Sequence, residues 1–370
     1  MLIGLPRETK AGEQRVGLTP HAVRELVLHE HDVVVETGAG EGIRVPDATF
    51  EVAGARIGTC DEVWEKSELI VKVKEPQPPE RRMLSEGQIL FAYLHLAPDP
   101  DQTADLVESG AACVAYETVT DWRGGLPLLA PMSRVAGRLA VQAGAWALET
   151  AHGGIGLLIG GVPGVPPARV VIIGGGVVGE NAAEIAIGMG ADVRVLDIDP
   201  AVLDHLEQRF GASVVTVTST RASVETEVLG ADLVIGAVLV TGARAPKLVT
   251  AEMIAQMRPG SVVVDVAIDQ GGCFETSKPT THAEPTFVVD DVVHYCVANM
   301  PGAVPLTSTR ALSDATLPRV LAIAENGLDA LRTDPHLRAG LNVYKGHVTE
   351  PHVAAALDFP YTDPLTALGF

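Results

Sequence analysis

The residues with the clearest chemical purpose in this chain form a glycine-patterned turn followed at a distance by an acid. The run Val170-Val-Ile-Ile-Gly174-Gly-Gly176-Val-Val-Gly179 leads into an Ala/Ile-rich stretch and then Asp192-Val-Arg-Val-Leu-Asp197. It reads as buried strand, tight turn, helix, second strand and carboxylate, the order of a dinucleotide-binding βαβ unit. In such a unit Gly174 permits the turn, Gly176 lets backbone approach a pyrophosphate, and Gly179 lets the helix lie close on the strand. The helix's unpaired N–H groups and dipole then hold the phosphate charge. Asp197, 18 residues past Gly179, would accept the adenosine ribose hydroxyls and repel a 2′-phosphate, which favours NAD over NADP. A lone G-x-G-x-x-G says little, because glycine turns are common; the flanking strand, helix and acid make this one informative.

Four further residues stand where chemistry is possible. Arg15 follows the first strand, where its planar fork suits a small carboxylate, although a solvated loop arginine has the same sequence position. Lys74 ends a buried strand beside Glu75-Pro76, and a partly buried lysine loses proton affinity enough to act as a base or to hold a carbonyl. His95 also follows a buried strand, as a proton donor or as a satisfied core histidine. Asp269, before Gln-Gly-Gly, faces the same kind of strand end, or simply forms a turn.

These side chains need elements to carry them. Leu2 to Leu5 is a strand, Thr19-Pro20 starts a helix running to His29, Val33 to Glu36 is a second strand, and Asp47 to Ala53 is a short helix. Leu69–Val73, Gln88–Ala92 and Ala112–Tyr116 are buried strands that deliver Lys74, His95 and Glu117 at their carboxyl ends, the ligand-binding edge of a parallel sheet. A long helix spans Ser133 to about Ala151. After Asp197 come a helix from Pro200 to Phe210, a strand from Ser213 to Val217 and a helical stretch to Leu229. Strands follow at Leu233–Ala237, at Ser261–Ala267 and within 291–299. A last helix runs from Thr307 to about Leu331, with an interruption at Pro318, and the tail to Phe370 has no clear pattern. The fold class is α/β.

Composition sets the limits. A chain of 370 residues with 47% hydrophobic content and 38 glycines supports two cores. A net charge of -20 argues against nucleic acid or an anionic membrane as partner. Cys60, Cys113, Cys273 and Cys296 lie far apart, as for free thiols in a reducing cytosol, and no metal-ligand spacing occurs. No apolar run reaches membrane-spanning length, and the N-terminus turns charged before a signal core forms.

Several longer motifs closely resemble the L-alanine dehydrogenase family. They are Gly4-Leu-Pro-Arg-Glu-Thr-Lys-Ala-Gly-Glu-Gln-Arg15-Val-Gly-Leu-Thr-Pro20, Lys72-Val-Lys74-Glu-Pro, Leu94-His95-Leu-Ala and Leu128-Leu-Ala-Pro-Met132-Ser133. To these are added Val266-Ala-Ile-Asp269-Gln-Gly-Gly-Cys-Phe-Glu and Tyr295-Cys-Val-Ala-Asn299-Met300-Pro-Gly-Ala-Val-Pro. The resemblance runs to about Leu331, and departs from the usual pattern at Gly12-Glu13 and Glu30-His31.

It implies reversible oxidative deamination of L-alanine to pyruvate and ammonium with NAD. By the same resemblance Arg15 and Lys74 bind the substrate, His95 is the acid/base group, and Asp269 orders the water or ammonia that adds. Ser133, Asp197, Ser219, Val238, Leu239, Ala267, Ile268, Asp269, Val297, Ala298, Asn299 and Met300 would line the cofactor. It further implies two Rossmann-like, doubly wound domains, a substrate domain of residues 1–128 and 305–370 and a nucleotide domain of 129–304, with a cleft between them, two long connecting helices, and a cytoplasmic homohexamer. The NAD(H)-binding subunit of proton-translocating transhydrogenase shares the first motif and the glycine turn, but that family lacks the second lysine and the histidine found here. A non-catalytic NAD sensor would have no use for the four polar strand-end groups.

Overall fold

The computed structural model describes residues 1–238 and 245–369. The chain forms two compact units, Met1–Met132 with Val304–Phe370, and Ser133–Ala303. In the first unit the strands are β1 (Leu2–Leu5), β2 (Asp32–Glu36), β3 (Arg56–Gly58), β4 (Leu69–Val71), β5 (Ile89–Ala92) and β6 (Ala112–Ala115), joined from the C-terminal segment by β14 (Leu341–Tyr344) and β15 (His347–Val348). The second unit holds β7 (Arg169–Ile173), β8 (Asp192–Asp197), β9 (Val215–Thr218), β10 (Leu233–Gly236), β11 (Val262–Asp265), β12 (Thr286–Val289) and β13 (Val292–Tyr295).

The two sheets share one topology. The first runs β3-β2-β1-β4-β5-β6-β14-β15 and the second β9-β8-β7-β10-β11-β13-β12. Strands β1 to β6 pair in parallel, as do β7 to β11 and β13, while β14, β15 and β12 add antiparallel edges. In each sheet the order reverses at the first strand, between β1 and β4 and between β7 and β10. Such a reversal leaves an opening outside the carboxyl ends where ligands bind.

Burial explains why these strands read as unbroken apolar runs. β4, β5, β6, β10 and β11 are buried at every residue, as expected where helices cover both faces of a parallel sheet. One face of the first sheet packs Ile70, Leu90 and Val343 with Trp64 and Leu106. In the second, Val171, Leu196, Val234 and Val263 meet Ile254 and Phe274. Each such side chain contributes about 1.5–3 kcal/mol.

Local signals set the helix starts. Thr19 caps Pro20–Leu28 by accepting from the Ala22 N–H, and Asp99 caps Pro100–Ser109. Thr59 and Glu62 form a reciprocal capping box on Cys60–Lys66.

Four expectations change. The long helix is Ala130–Ala147, starting earlier than Ser133 and stopping before Ala151. The chain turns through Thr150–His152, and a Cβ on Gly154 would lie 2.2 Å from the Ala147 carbonyl, so the backbone folds back on the helix end. The helix Pro305–Asn326 continues through Pro318, and a second helix, Asp329–Thr333, follows it. Proline removes one amide donor, and the buried face of Leu312, Thr316, Val320 and Ile323 holds the helix through it. The unpatterned tail supplies β14 and β15, which are held by pairing with β6, a contact remote in sequence. Finally, Val266–Gln270 is a 3₁₀ turn and not the end of a strand, because the Asp265 carboxylate accepts the Ala267 N–H and bends the chain.

The four cysteines are free, three of them buried, and burial pushes the Cys113 thiol up to about 12. No helix among the described residues is long and apolar enough to cross a membrane.

Candidate functional site

In the second unit the glycine pattern has distinct steric reasons at each position. Gly174 has φ +101°, and a Cβ there would lie 2.8 Å from the Ala237 carbonyl, so β7 and β10 come together at the sheet reversal. A Cβ on Gly179 would sit 1.8 Å from the Gly174 carbonyl, which fixes that residue as glycine. Gly176 differs: a Cβ there would meet nothing within 4 Å. It is the N-cap of Val177–Gly188, and no side chain caps that helix. Open space before donors that no side chain claims fits a pyrophosphate.

Asp197 ends β8 beside this turn. Its Oδ2 accepts from the Gly175 N–H at 2.7 Å and its Oδ1 from the Asp199 N–H at 2.9 Å. Each carboxylate oxygen has a second lone pair, so the geometry that fixes the acid leaves acceptor capacity for ribose hydroxyls. Ser219 follows β9 and donates its N–H to the Asp197 carbonyl at 2.8 Å. Val238 follows β10, its nitrogen 3.2 Å from the place a Gly174 Cβ would take. Leu239 lies outside the described residues. Ser133 lies one helical turn before Gly137, and a Cβ on Gly137 would meet the Val178 carbonyl at 2.1 Å. The Ala130–Ala147 helix therefore packs against the start of the glycine-turn helix.

Two more strand ends complete this edge. After β11, Asp265 is wholly buried and accepts from the Ala267 and Cys273 N–H groups and the Ser277 hydroxyl; burial raises its carboxyl above the usual range. The turn it ties down exposes Asp269. After β13, Asn299 has φ +56° and donates its N–H to Asp269 Oδ2 at 3.3 Å. Ala267, Ile268, Val297 and Met300 are buried, whereas Asp269, Ala298 and Asn299 reach the surface. Asp197, Ser219, Val238, Asp269 and Asn299 thus end or follow strands of one sheet at its carboxyl edge, while Ser133 lies on the Ala130–Ala147 helix.

The first unit holds Arg15, Lys74 and His95. Arg15 is 2% exposed and is no solvated loop residue. Its Nε and Nη2 donate side-on to the two Glu13 carboxylate oxygens, with 2.6 Å at Nε, and its Nη1 is 3.1 Å from Met132 Sδ. Burial acts to raise the Glu13 carboxyl, but the Arg15 bonds and charge outweigh it and hold it below the usual range. The edge of the fork at Nε and Nη2 thus grips protein. A pocket of about 420 Å³ lined by Glu8, Glu13 and Arg15 adjoins it.

Lys74 follows β4, at the sheet reversal. Burial, and then the Arg15 charge, lower its amine below the ordinary lysine value. Its neighbour Lys72 is fully buried, 3.3 Å from Glu8 Oε2 and 3.1 Å from Glu80 Oε1. Glu8 also accepts the Val73 N–H at 2.7 Å and the Lys74 N–H at 3.4 Å. This network ties the end of β1 to the end of β4 and sets the backbone that carries Lys74.

His95 follows β5 with its side chain 47% exposed, which removes the core-histidine reading. Its φ is +50°, a left-handed conformation that costs a non-glycine residue roughly 1–2 kcal/mol. Glu117, after β6, accepts the His95 N–H at 2.6 Å and the Leu94 N–H at 3.2 Å. Tyr93 stacks on the imidazole with ring centroids 5.9 Å apart and donates its hydroxyl to the Leu128 carbonyl at 2.5 Å. Sequence reading missed the supporting roles of Glu13, Lys72, Glu117 and Asp265. Glu117 left a signal as an acid at the end of a buried strand, and Lys72 as a charge within one.

Comparison with known proteins covers nearly the whole chain. Residues 4–136 match the family described as alanine dehydrogenase/PNT, N-terminal domain, and residues 140–351 its C-terminal domain. The chain is 58% identical to the alanine dehydrogenase of Halomonas elongata over 371 residues, all of both chains. It is 52% identical to that of Mycobacterium tuberculosis over 370 residues, again all of both. A solved L-alanine dehydrogenase superposes with a TM-score of 0.94 at 51% identity, covering 97% of this chain and 99% of that one. A transhydrogenase from Sinorhizobium meliloti gives 0.82 at 26% identity, covering 95% and 99%.

Proposed function

Because the chain belongs to the alanine dehydrogenase/PNT family, we propose that it is an NAD-dependent L-alanine dehydrogenase and that the residues described above divide its chemistry. L-Alanine, NAD⁺ and water give pyruvate, ammonium, NADH and a proton. The observation that carries the assignment of roles is the placing of Arg15, Lys74 and His95 on the carboxyl edge of one sheet, two of them buried or half-buried cations and the third an exposed imidazole. In this reading residues 1–128 and 305–370 form the substrate domain and 129–304 the nucleotide domain.

Arg15 and Lys74 bind the substrate through its carboxylate and carbonyl oxygen. When bound, NAD accepts hydride from the alanine Cα. The substrate is left as an iminium, and Asp269 orders the water that adds to its carbon. That water's oxygen becomes the pyruvate carbonyl. The proton released overall is the one the alanine ammonium gives up before hydride leaves. His95 takes one proton from the adding water and passes it to the nitrogen, and as the C–N bond breaks it passes the remaining hydroxyl proton to the departing amine, so ammonium leaves. Charge that builds on the reacting oxygen is met by the Lys74 ammonium, a fixed cation needing no rearrangement. A transhydrogenase role, which exchanges hydride between nucleotides, gives Lys74 and His95 no such work. Purified protein reducing NAD⁺ only when L-alanine is present supports the assignment; reduction that ignores alanine would remove it.

Asp197 decides the nucleotide. NADP is expected to turn over far more slowly than NAD, and Asp197→Ala to weaken NAD while narrowing the gap between the two. Equal turnover with both nucleotides in the unmodified protein contradicts this reading.

The same reading has the protein act in the cytoplasm as a homohexamer, as its resemblance to the family implies. Light scattering is expected to give six times the chain mass, and a monomeric mass would remove the assembly.

A further inference from the structure

His95 adopts a left-handed backbone that its residue type does not favour, at the end of a strand whose hydrogen-bond ladder has run out. Beyond β5 the two amides that need partners are Leu94 N–H and His95 N–H, and both point to one side chain. Glu117 Oε1 accepts from His95 at 2.6 Å and from Leu94 at 3.2 Å, and Oε2 accepts from Leu94 at 3.3 Å. The same Oε1 lies 3.8 Å from His95 Nδ1, and the Glu117 side chain is only 17% exposed. On the other side, the Gln102 amide donates to the Leu94 carbonyl at 2.6 Å and the Thr103 hydroxyl to the Leu96 carbonyl at 3.1 Å. The His95 peptide is thus pinned before and after, and the ring leans on Tyr93.

We propose that Glu117 is a positioning residue for the reaction: by accepting the Leu94 and His95 amides it locks His95 in the left-handed turn that presents the imidazole to substrate. The hold comes from the backbone. A carboxylate that takes two N–H groups fixes the peptide planes on either side of the His95 Cα, and so fixes the direction of the Cα–Cβ bond. Nothing in this requires Glu117 to touch substrate. The proposal rests on His95 carrying proton transfer, as assigned above.

The test is a double-substitution cycle on the full-length protein, read as single-turnover and steady-state rates of NADH oxidation with pyruvate and ammonium. Glu117→Ala is expected to lower kcat on the order of tenfold, since misplacing a reacting group is costly, with KM for pyruvate and NADH affinity near parental values. Glu117→Gln keeps a side-chain carbonyl that can accept the same amides and should recover most of the loss. In a His95→Ala background, adding Glu117→Ala should change the remaining rate less than about twofold, because a residue that acts only through His95 has nothing left to position. If the two losses multiply, or if Glu117→Ala turns over like the parent, the proposal fails. Should Glu117→Ala not fold, the cycle is run with Glu117→Gln, whose smaller loss must likewise vanish in the His95→Ala background. An inactive parent would instead overturn the alanine dehydrogenase assignment, so the two failures are distinguishable.

Discussion

Replacing His95 by alanine is expected to lower turnover by about two to four powers of ten, the usual worth of a positioned acid/base group. NADH affinity and the melting temperature should stay close to those of the parent. The groups proposed to bind the nucleotide belong to the other unit, and the imidazole is half exposed, so its removal leaves no cavity in the core. A core histidine would behave differently, since its loss would lower stability and disturb both ligands together. Melting temperature, NADH affinity and turnover measured on one preparation separate these outcomes. A variant that melts and binds like the parent, and also turns over at a near-parental rate, would take His95 out of the mechanism.

Arg15→Lys should lose pyruvate affinity although the charge is kept. The guanidinium donates side-on to Glu13 through Nε and Nη2 and in the proposed role also binds the substrate carboxylate, and a lysine ammonium, a point charge, cannot hold both partners in two planes at once. Loss of one charge-assisted hydrogen bond, about 1.5–3 kcal/mol, corresponds to roughly a 10- to 150-fold weaker pyruvate constant. Saturating with NADH first and titrating pyruvate second isolates the effect. An unchanged pyruvate constant would leave Arg15 as a structural partner of Glu13 alone.

The nucleotide turn is legible from sequence because each of its demands falls on residue type. Gly174 and Gly179 have no room for a Cβ, and the β-branched run from Val170 leaves no alternative to a buried strand. The strand-end polar residues are legible for a similar reason, since an apolar run that stops at Lys74 or at Glu117 marks where the sheet ends. What surrounds them is not. Glu13 and Arg15 stand two apart in a loop, a spacing with no periodicity, and only the folded backbone turns both carboxylate oxygens onto one guanidinium.

Lys72 reads as a polar interruption within an apolar strand. Its burial depends on Glu8 and Glu80 arriving from elsewhere in the chain. The left-handed turn at His95 has no glycine to announce it, because the Glu117 carboxylate stabilises it from another strand. β14 is four residues whose pairing with β6 joins Val343 to Cys113, a contact no local pattern reveals. Pro318 misled in the other direction: a helix held by burial of Leu312, Thr316, Val320 and Ile323 tolerates the lost amide.

The reaction itself is the central claim, and the most direct measurement is NADH oxidation by the purified protein, followed at 340 nm with pyruvate and ammonium supplied together and singly. Oxidation that needs both, with L-alanine recovered as product, is the result expected from Arg15, Lys74, His95 and Asp269 in the roles given. Oxidation that proceeds without pyruvate when a second nicotinamide nucleotide is offered, or none with all three substrates present, would contradict it.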